Sequence, residues 1–397
     1  MSREMHVTGR LGFDGAVDAD GHILEPPDLW ETYLEPKYRE RALRLRLDEN
    51  GLEELEIGGE RSKLSRGGFP STLGAMGDPD LRSMQLDPER TYLSEAPFGS
   101  MDPDERLELL DAEGIDAAVL YTTVGLLWEV ELEDPELSQA YTRAYNRWIC
   151  EFCAGSPRLV PTAHLSLSDP AAAAQELERA VGEGARGAYV APFTHDAKPL
   201  GHPDNHDVFA AAQDLDVPFA IHPTFEPAWT RGRRFDLAHA RELRLLASVT
   251  AADGVRHQFT TLFDYGVFDR FPTLQVIVLE SGGGWLGYWL DRIDAVYADT
   301  FIGERVPLCQ KPSDYVRERV WISCDPDERS IPPLAERYGD RFLWASDFPH
   351  ADHTPDYIPA LAEMAAGFPE PRRDAFLGDQ ARALFDIPAT AQALTPA

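Results

Sequence analysis

Carboxylates and imidazoles close several of the short apolar runs in this chain. Asp20 and His22 end the first, AVDADGH; His222 ends PFAIH, Glu280 ends LQVIVLE and Asp347 ends RFLWASD. Carboxylate oxygen together with imidazole nitrogen suits a divalent ion such as Zn²⁺ or Mn²⁺. Asp20 and His22 stand two residues apart, and residues i and i+2 of a strand share a face. Taken singly, each residue has an ordinary explanation. A histidine at a strand end is commonly a hydrogen-bonded structural group, and an aspartate before Phe-Pro can cap the turn that follows. The joint pattern points to a site, because Asp20, His22, His222 and Asp347 all fall at the same end of their runs in a chain with eleven histidines. The expectation is one divalent metal ion (Zn or Mn) on those four residues, with Glu280 and Asp347 as the catalytic groups.

The segments beyond these runs offer contacts for a substrate. After His222 the chain reads PTFEPAWTRGRRFD, placing Arg231, Arg233 and Arg234 beside Trp229. Clustered guanidinium groups suit bidentate capture of a carboxylate, so an anionic small molecule is the expected substrate. Pairing with the surplus acids or with a neighbouring subunit is the competing explanation for the arginines, and Trp229 either stacks on a ring or packs. His350, close behind Asp347, suits orienting that aspartate or touching substrate. His164 ends the run VPTAH on the same rim. Asp18 is expected to be structural. Cys150 and Cys153 form a C-x-x-C at a helix end without a second pair to complete a zinc site, and read as core residues. Gly282–Gly284 lacks the Lys-Ser/Thr of a phosphate loop.

Positioning these side chains takes eight strands, expected at Ala16–Asp20, Ala117–Tyr121, Val160–His164, Gly187–Ala191, Val217–His222, Gln275–Glu280, Val320–Ser323 and Phe342–Ser346. Helical patterns separate them: Pro103–Ala112, Pro135–Phe152 and Pro170–Val181, each with an Asp cap before a first-turn proline, then Asp207–Leu215, Asp236–Thr250, Trp285–Asp299, Ile331–Tyr338 and Asp356–Ala366. Such alternation predicts an α/β chain folded as a (β/α)8 TIM barrel, whose functional residues gather at the C-terminal ends of the strands. The long interval Ile23–Met101 does not fit the alternation. Its stretch LRLRLDENGLEELEIGGERSKL alternates around Asn50-Gly51, a hairpin signal, so a partly β insertion at about residues 23–101 is expected near the barrel mouth. Residues 1–15 read as an N-terminal arm, 16–387 as the barrel domain and 388–397 as a flexible tail.

Composition limits the partners. The 397 residues carry 37 Lys+Arg against 68 Asp+Glu, a net charge of −31, which disfavours nucleic acid and anionic membrane surfaces. Four cysteines are too few to staple a chain this long. MSREMHVTGR has no apolar signal-peptide core, and no apolar run approaches the roughly 18 residues of a membrane helix, so the cytoplasm is the expected compartment.

Beyond these readings the sequence resembles the amidohydrolase superfamily, in the branch named for aminocarboxymuconate-semialdehyde decarboxylase. That branch also holds resorcylate- and carboxyvanillate-type decarboxylases, hydratases and some hydrolases. The resemblance runs from about Val17 to Phe385, on DADGHILEPPDLW, AIHPT, FDRFPTLQVIVLESGGGWLGYWLDRID and FLWASDFPH. It implies a distorted barrel, a mononuclear metal site on Asp20, His22, His222 and Asp347, and a homodimer or larger homo-oligomer. Arg292, in YWLDRID, matches an arginine common in the family and reads as site support or a helix salt bridge. Where many members carry a histidine in a stretch like AHGGG, this chain has Glu280 in LESGGGW, able to act as base, proton donor or ligand. The implied reaction is non-oxidative decarboxylation of a small unsaturated or aromatic carboxylic acid. The alternative is hydrolysis by metal-bound hydroxide with Glu280 as base. An inactive binding module is disfavoured, since none of the four ligand positions is lost.

Overall fold

Residues 4–78, 87–226, 246, 249–250, 252–299 and 301–388 are described by the structure, a computed structural model. The eight apolar runs form one parallel sheet: β1 (Val17–His22), β5 (Ala117–Tyr121), β6 (Leu159–Leu165), β7 (Gly187–Val190), β8 (Phe219–Ile221), β9 (Val276–Val278), β10 (Val320–Cys324) and β11 (Phe342–Trp344). Each is hydrogen-bonded to the next in chain order, the topology of a (β/α)8 barrel. The ring closes where β1 meets the segment after β11: Asp347 N–H donates to Asp20 O (3.0 Å) and His22 N–H to Phe348 O (2.8 Å). Every strand residue is buried. That is why most of the runs are largely apolar on both faces: helices cover the outer face and the barrel core fills the inner one.

The helices between strands follow their caps. Asp102, Asp134 and Asp169 each accept backbone N–H bonds in the first turns of α2 (Pro103–Glu113), α3 (Pro135–Cys153) and α4 (Pro170–Gly182), after a short α1 (Leu29–Tyr33). α5 (His206–Asp214), α7 (Leu286–Asp299), α9 (Ile331–Tyr338) and α10 (Tyr357–Ala366) fall where periodicity places them. Among the described helices of eight residues or more, two lie outside the expected set: α6 (Asp253–Asp264) and α8 (Pro312–Arg319). The helix expected over 236–250 lies largely outside the described residues.

Between β1 and β5 the chain makes a separate antiparallel sheet of β2 (Arg44–Leu47), β3 (Glu53–Ile57) and β4 (Glu60–Arg61). Asp48 fixes the β2–β3 turn by accepting from Asn50 N–H (2.8 Å) and Leu52 N–H (2.9 Å). Ser62 Oγ donates to Glu131 (2.7 Å) and Met76 N–H to Pro349 O (3.2 Å). Both partners belong to loops leaving the C-terminal ends of barrel strands, so this sheet stands at the barrel mouth.

β1 carries one extra residue between Asp18 and Gly21 relative to β5. Asp18 turns to the seam, accepting from Ser346 N–H (3.0 Å) and Ser346 Oγ (2.6 Å). A Cβ on Gly21 would stand 2.6 Å from Asp18 Oδ2, so only glycine fits this bulge without displacing the carboxylate. Gly21→Ala is therefore expected to lower stability by about 1–3 kcal/mol, the usual cost of overpacking a filled interior. Denaturant unfolding checks this, and an unchanged midpoint would show that the seam tolerates Asp18 elsewhere.

Candidate metal centre

β8, β9 and β11 stop earlier than expected, at Ile221, Val278 and Trp344. His222, Glu280 and Asp347 thus lie one, two and three residues beyond the last ladder position, on the loops of the C-terminal face. Asp20 and His22 reach the same place from β1. Glu280 and Asp347 both hold left-handed backbones, φ 38° and 51°, uncommon for side chains of this kind and concentrated at functional sites.

The two imidazoles are oriented alike. His22 Nδ1 lies 2.6 Å from Thr122 O and His222 Nδ1 lies 2.8 Å from Pro223 O. A carbonyl only accepts, so each Nδ1 carries the proton and each Nε2 presents a lone pair. Those Nε2 atoms face one another at 3.3 Å. Asp20 Oδ1 is 3.7 Å from His22 Nε2 and 3.6 Å from His222 Nε2, and Asp347 Oδ1 is 3.9 Å from His22 Nε2. Donors about 2.1 Å from one ion at tetrahedral angles stand about 3.4 Å apart, close to these separations. Asp20 Oδ1 and both Asp347 carboxylate oxygens are buried with no hydrogen-bond partner among the described residues. Burial pushes both aspartates well above the carboxylate range and drives both histidines below theirs. Neutral imidazoles and orphaned carboxylates around one point fit a divalent cation.

Glu280 Oε2 lies 3.3 Å from His222 Nε2. Its N–H donates to Ser323 Oγ (2.9 Å), and that hydroxyl donates to Asp20 Oδ2 (3.4 Å). Burial pushes the Glu280 carboxyl well up, with His222 pulling down and Asp347 adding to the rise; a cation on the adjacent donors would pull it down. Support comes from the groups around the donors. Buried Glu25 accepts from the N–H groups of Thr123, Val124 and Gly125, and so fixes the loop whose Thr122 carbonyl orients His22. His350 stacks on His22 at 3.9 Å and reaches Thr123 Oγ1 at 3.1 Å. The sequence reading gives His350 a role beside Asp347, but none to Glu25, His353, Asp325 or Asp352. His353 Nε2 lies 3.7 Å from Asp347 Oδ2 and 3.6 Å from Asp325 Oδ1, and its Nδ1 lies 3.5 Å from Asp352. Burial pulls His353 down, yet Asp347, Asp352 and Glu280 together hold it well above the usual imidazole range.

The family profile described as amidohydrolase matches residues 17–387. The chain belongs to the amidohydrolase family. A gamma-resorcylate decarboxylase from Rhizobium radiobacter is 32% identical over 272 residues, covering 65% of this chain and 80% of the relative. An amidohydrolase from Mycobacterium avium subsp. paratuberculosis superposes with a TM-score of 0.76 at 22% identity, over 94% of this chain and 99% of the other. A dihydroxybenzoic acid decarboxylase from Polaromonas sp. JS666, solved with bound manganese and the inhibitor 2-nitroresorcinol, gives 0.62 at 21%, over 94% and 97%.

In this amidohydrolase the remaining predicted residues lie away from the donor cluster or outside the described residues. His164 Nε2 pairs with Glu129 Oε1 at 2.6 Å and its ring stacks on Tyr189 (4.6 Å), so its polar edge is already engaged. Arg292 is exposed on α7, lining a separate cavity of about 260 Å³ with Tyr288, Trp289 and Tyr297. Trp229, Arg231, Arg233 and Arg234 lie outside the described residues. Cys150, Cys153 and Cys324 are buried thiols and Cys309 an exposed one. Among the described residues no helix is long and apolar enough to cross a membrane.

Proposed function

We propose that this chain is a metal-dependent, non-oxidative decarboxylase of a small aromatic or unsaturated carboxylic acid. The observation that carries the reading is Glu280, a half-buried carboxyl 3.3 Å from His222 beside a metal donor set, in a chain that matches a gamma-resorcylate decarboxylase over 80% of that relative's length. Asp20, His22, His222 and Asp347 would hold a divalent ion, which would supply Lewis acidity toward substrate oxygens. Manganese suits a set of two carboxylates and two imidazoles and is the ion of the Polaromonas neighbour. The Thr122 and Pro223 carbonyls hold both histidines in the ligating tautomer. Glu280 delivers the proton: a C–H bond forms at the carboxylate-bearing carbon, the C–CO2 bond breaks, its electron pair returns to the unsaturated system, and CO2 leaves. The Glu280 carboxylate then takes a proton from solvent. An assay panel of hydroxybenzoic and unsaturated acids tests this, with CO2 detected directly. Uptake of ¹⁸O from labelled water without CO2 would replace decarboxylation by hydrolysis, with Glu280 as base.

The loop Trp229–Arg234 is the proposed anchor for the substrate anion. Replacing Arg231, Arg233 and Arg234 together by Gln is expected to raise KM for an acidic substrate with a smaller effect on kcat. Unchanged KM would assign these arginines to surface or subunit pairing. The active form is proposed to be a homodimer or larger homo-oligomer working in the cytoplasm, which light scattering of the purified enzyme and cell fractionation check.

A further inference from the structure

Glu280 stands on a stretch of backbone with unusual freedom to place it elsewhere. Glu280 and Gly282 both take left-handed backbones, φ 38° and 65°, and three glycines follow Ser281 without a break. Glycine loses more conformational freedom on ordering than any other residue, so such a segment keeps one shape only where its surroundings fix it. Glu328, from the loop after β10, grips this run. It accepts from Gly283 N–H with both carboxylate oxygens (2.9 Å each), from Gly284 N–H (2.9 Å) and from Asp325 N–H (3.1 Å). The glycine run that lacks a phosphate-loop lysine thus offers its N–H groups to a carboxylate of its own chain.

The approach is close. A Cβ on Gly283 would stand 2.6 Å from Ile331 Cδ1, and one on Gly284 would stand 2.8 Å from Ser330 Oγ, so glycine is what lets the loop after β10 come this near. Trp285 Nε1–H donates to Gly282 O (2.6 Å), and Ser323 Oγ accepts from Glu280 N–H (2.9 Å). The turn from Glu280 to Gly284 is therefore held at one end by a β10 side chain and at the other by Glu328 from the loop behind that strand.

We propose that Glu328 is a positioning residue for Glu280: by holding the glycine run it keeps the Glu280 carboxyl 3.3 Å from His222 Nε2. This role rests on the reading of Glu280 as the proton donor and adds the group that keeps it in place. An acid held ready needs no ordering at the moment of reaction, and a misplacement of about 1 Å caused by a change outside the reacting groups can cost about 10²-fold. Helix capping is the competing role, since Gly283 and Gly284 lead into α7. A cap would stabilise the fold and leave the chemistry alone.

Glu328→Ala and Glu328→Gln, each made in the wild type and in Glu280→Gln, separate the two roles. On every variant kcat, KM, metal content and thermal unfolding are measured, and Glu328→Ala is crystallised. Glu328→Ala is expected to lower kcat by about 10²-fold in the wild type, with KM and metal content little changed. Glu328→Gln can turn its amide oxygen to both glycine N–H groups and should recover most of that loss. On Glu280→Gln, Glu328→Ala should lower kcat no further, because the group it positions has already lost its proton. The crystal structure should show the Glu280 carboxyl drawn away from His222. Unchanged kcat with a lowered unfolding midpoint would overturn the proposal and leave Glu328 a helix cap. An equal loss on both backgrounds would also overturn it, since Glu328 would then act on something other than Glu280. Full activity in Glu280→Gln would remove the proposed proton donor, and the Glu328→Ala structure would still decide the positioning role: Glu280 in its original place overturns it, Glu280 displaced upholds it. If Glu328→Ala does not fold, Glu328→Asp, one methylene short of the glycines, takes its place with the same outcomes.

Discussion

Replacing His222 by Ala is expected to remove one equivalent of metal per chain and to abolish CO2 release, while the barrel stays folded. His222 Nε2 lies 3.3 Å from His22 Nε2 and 3.6 Å from Asp20 Oδ1, at the centre of the donor set. Loss of a partner outside the ligand set typically costs about 10–100-fold in metal affinity, and loss of a ligand must exceed that. The fold survives because β8 is held through its backbone. His222 N–H donates to Val190 O (3.1 Å), a bond independent of the ring. The space vacated lies against Tyr121 and Tyr189, whose buried hydroxyls can hydrate it. Metal analysis with far-UV circular dichroism checks both halves, and full occupancy in a folded His222→Ala would move the centre elsewhere. His350→Ala gives the contrast. His350 stacks on His22 and reaches Thr123, with no place among the ligating atoms, so its loss should weaken metal binding within the 10–100-fold range and leave the site able to load at higher Mn²⁺.

What the sequence discloses here is what local chemistry determines. A strand buried on both faces is largely apolar, so Asp20, His222, Glu280 and Asp347 stand out as polar residues closing such runs. Asp-Pro pairs at 102–103, 134–135 and 169–170 mark helix starts because side chain and ring act within one turn. The ends of β8, β9 and β11 are not local. A strand stops where its neighbours stop offering bonds, and apolar residues continue past that point, as Leu279 and Ala345 do. α6 has a readable signal in Val255, Phe259, Leu262 and Phe263, all buried at helical spacing. His164 falls one residue before the end of β6, but its partner Glu129 comes from a loop 35 residues earlier, which no spacing rule supplies. The Asp325–His353 pair is hidden for the same reason, since the loops after β10 and β11 must converge before those residues meet. Arg292 shows the limit of resemblance: its motif matches, and the helix turns it outward.

Glu280→Gln is expected to lower kcat by about 10²–10⁴ with metal retained, the range typical of general acid–base groups. Gln keeps the shape and the backbone bond to Ser323 Oγ but has no proton to give. The four ligating residues are untouched, so metal content separates loss of the acid from loss of the centre. His is the more demanding replacement. Glu280 Oε2 already approaches His222 Nε2 at 3.3 Å, and an imidazole at this position can also deliver a proton. Glu280→His should therefore retain activity well above Glu280→Gln if the residue's task is protonation of carbon. If both variants keep metal and both fall together, the carboxylate itself is required, as a base on water would be, and the hydrolytic chemistry moves ahead. Running the wild-type reaction in D2O closes the argument: decarboxylation must place one deuterium at the carbon that lost CO2, because the acid that protonates it exchanges with solvent, whereas hydrolysis leaves that carbon unlabelled.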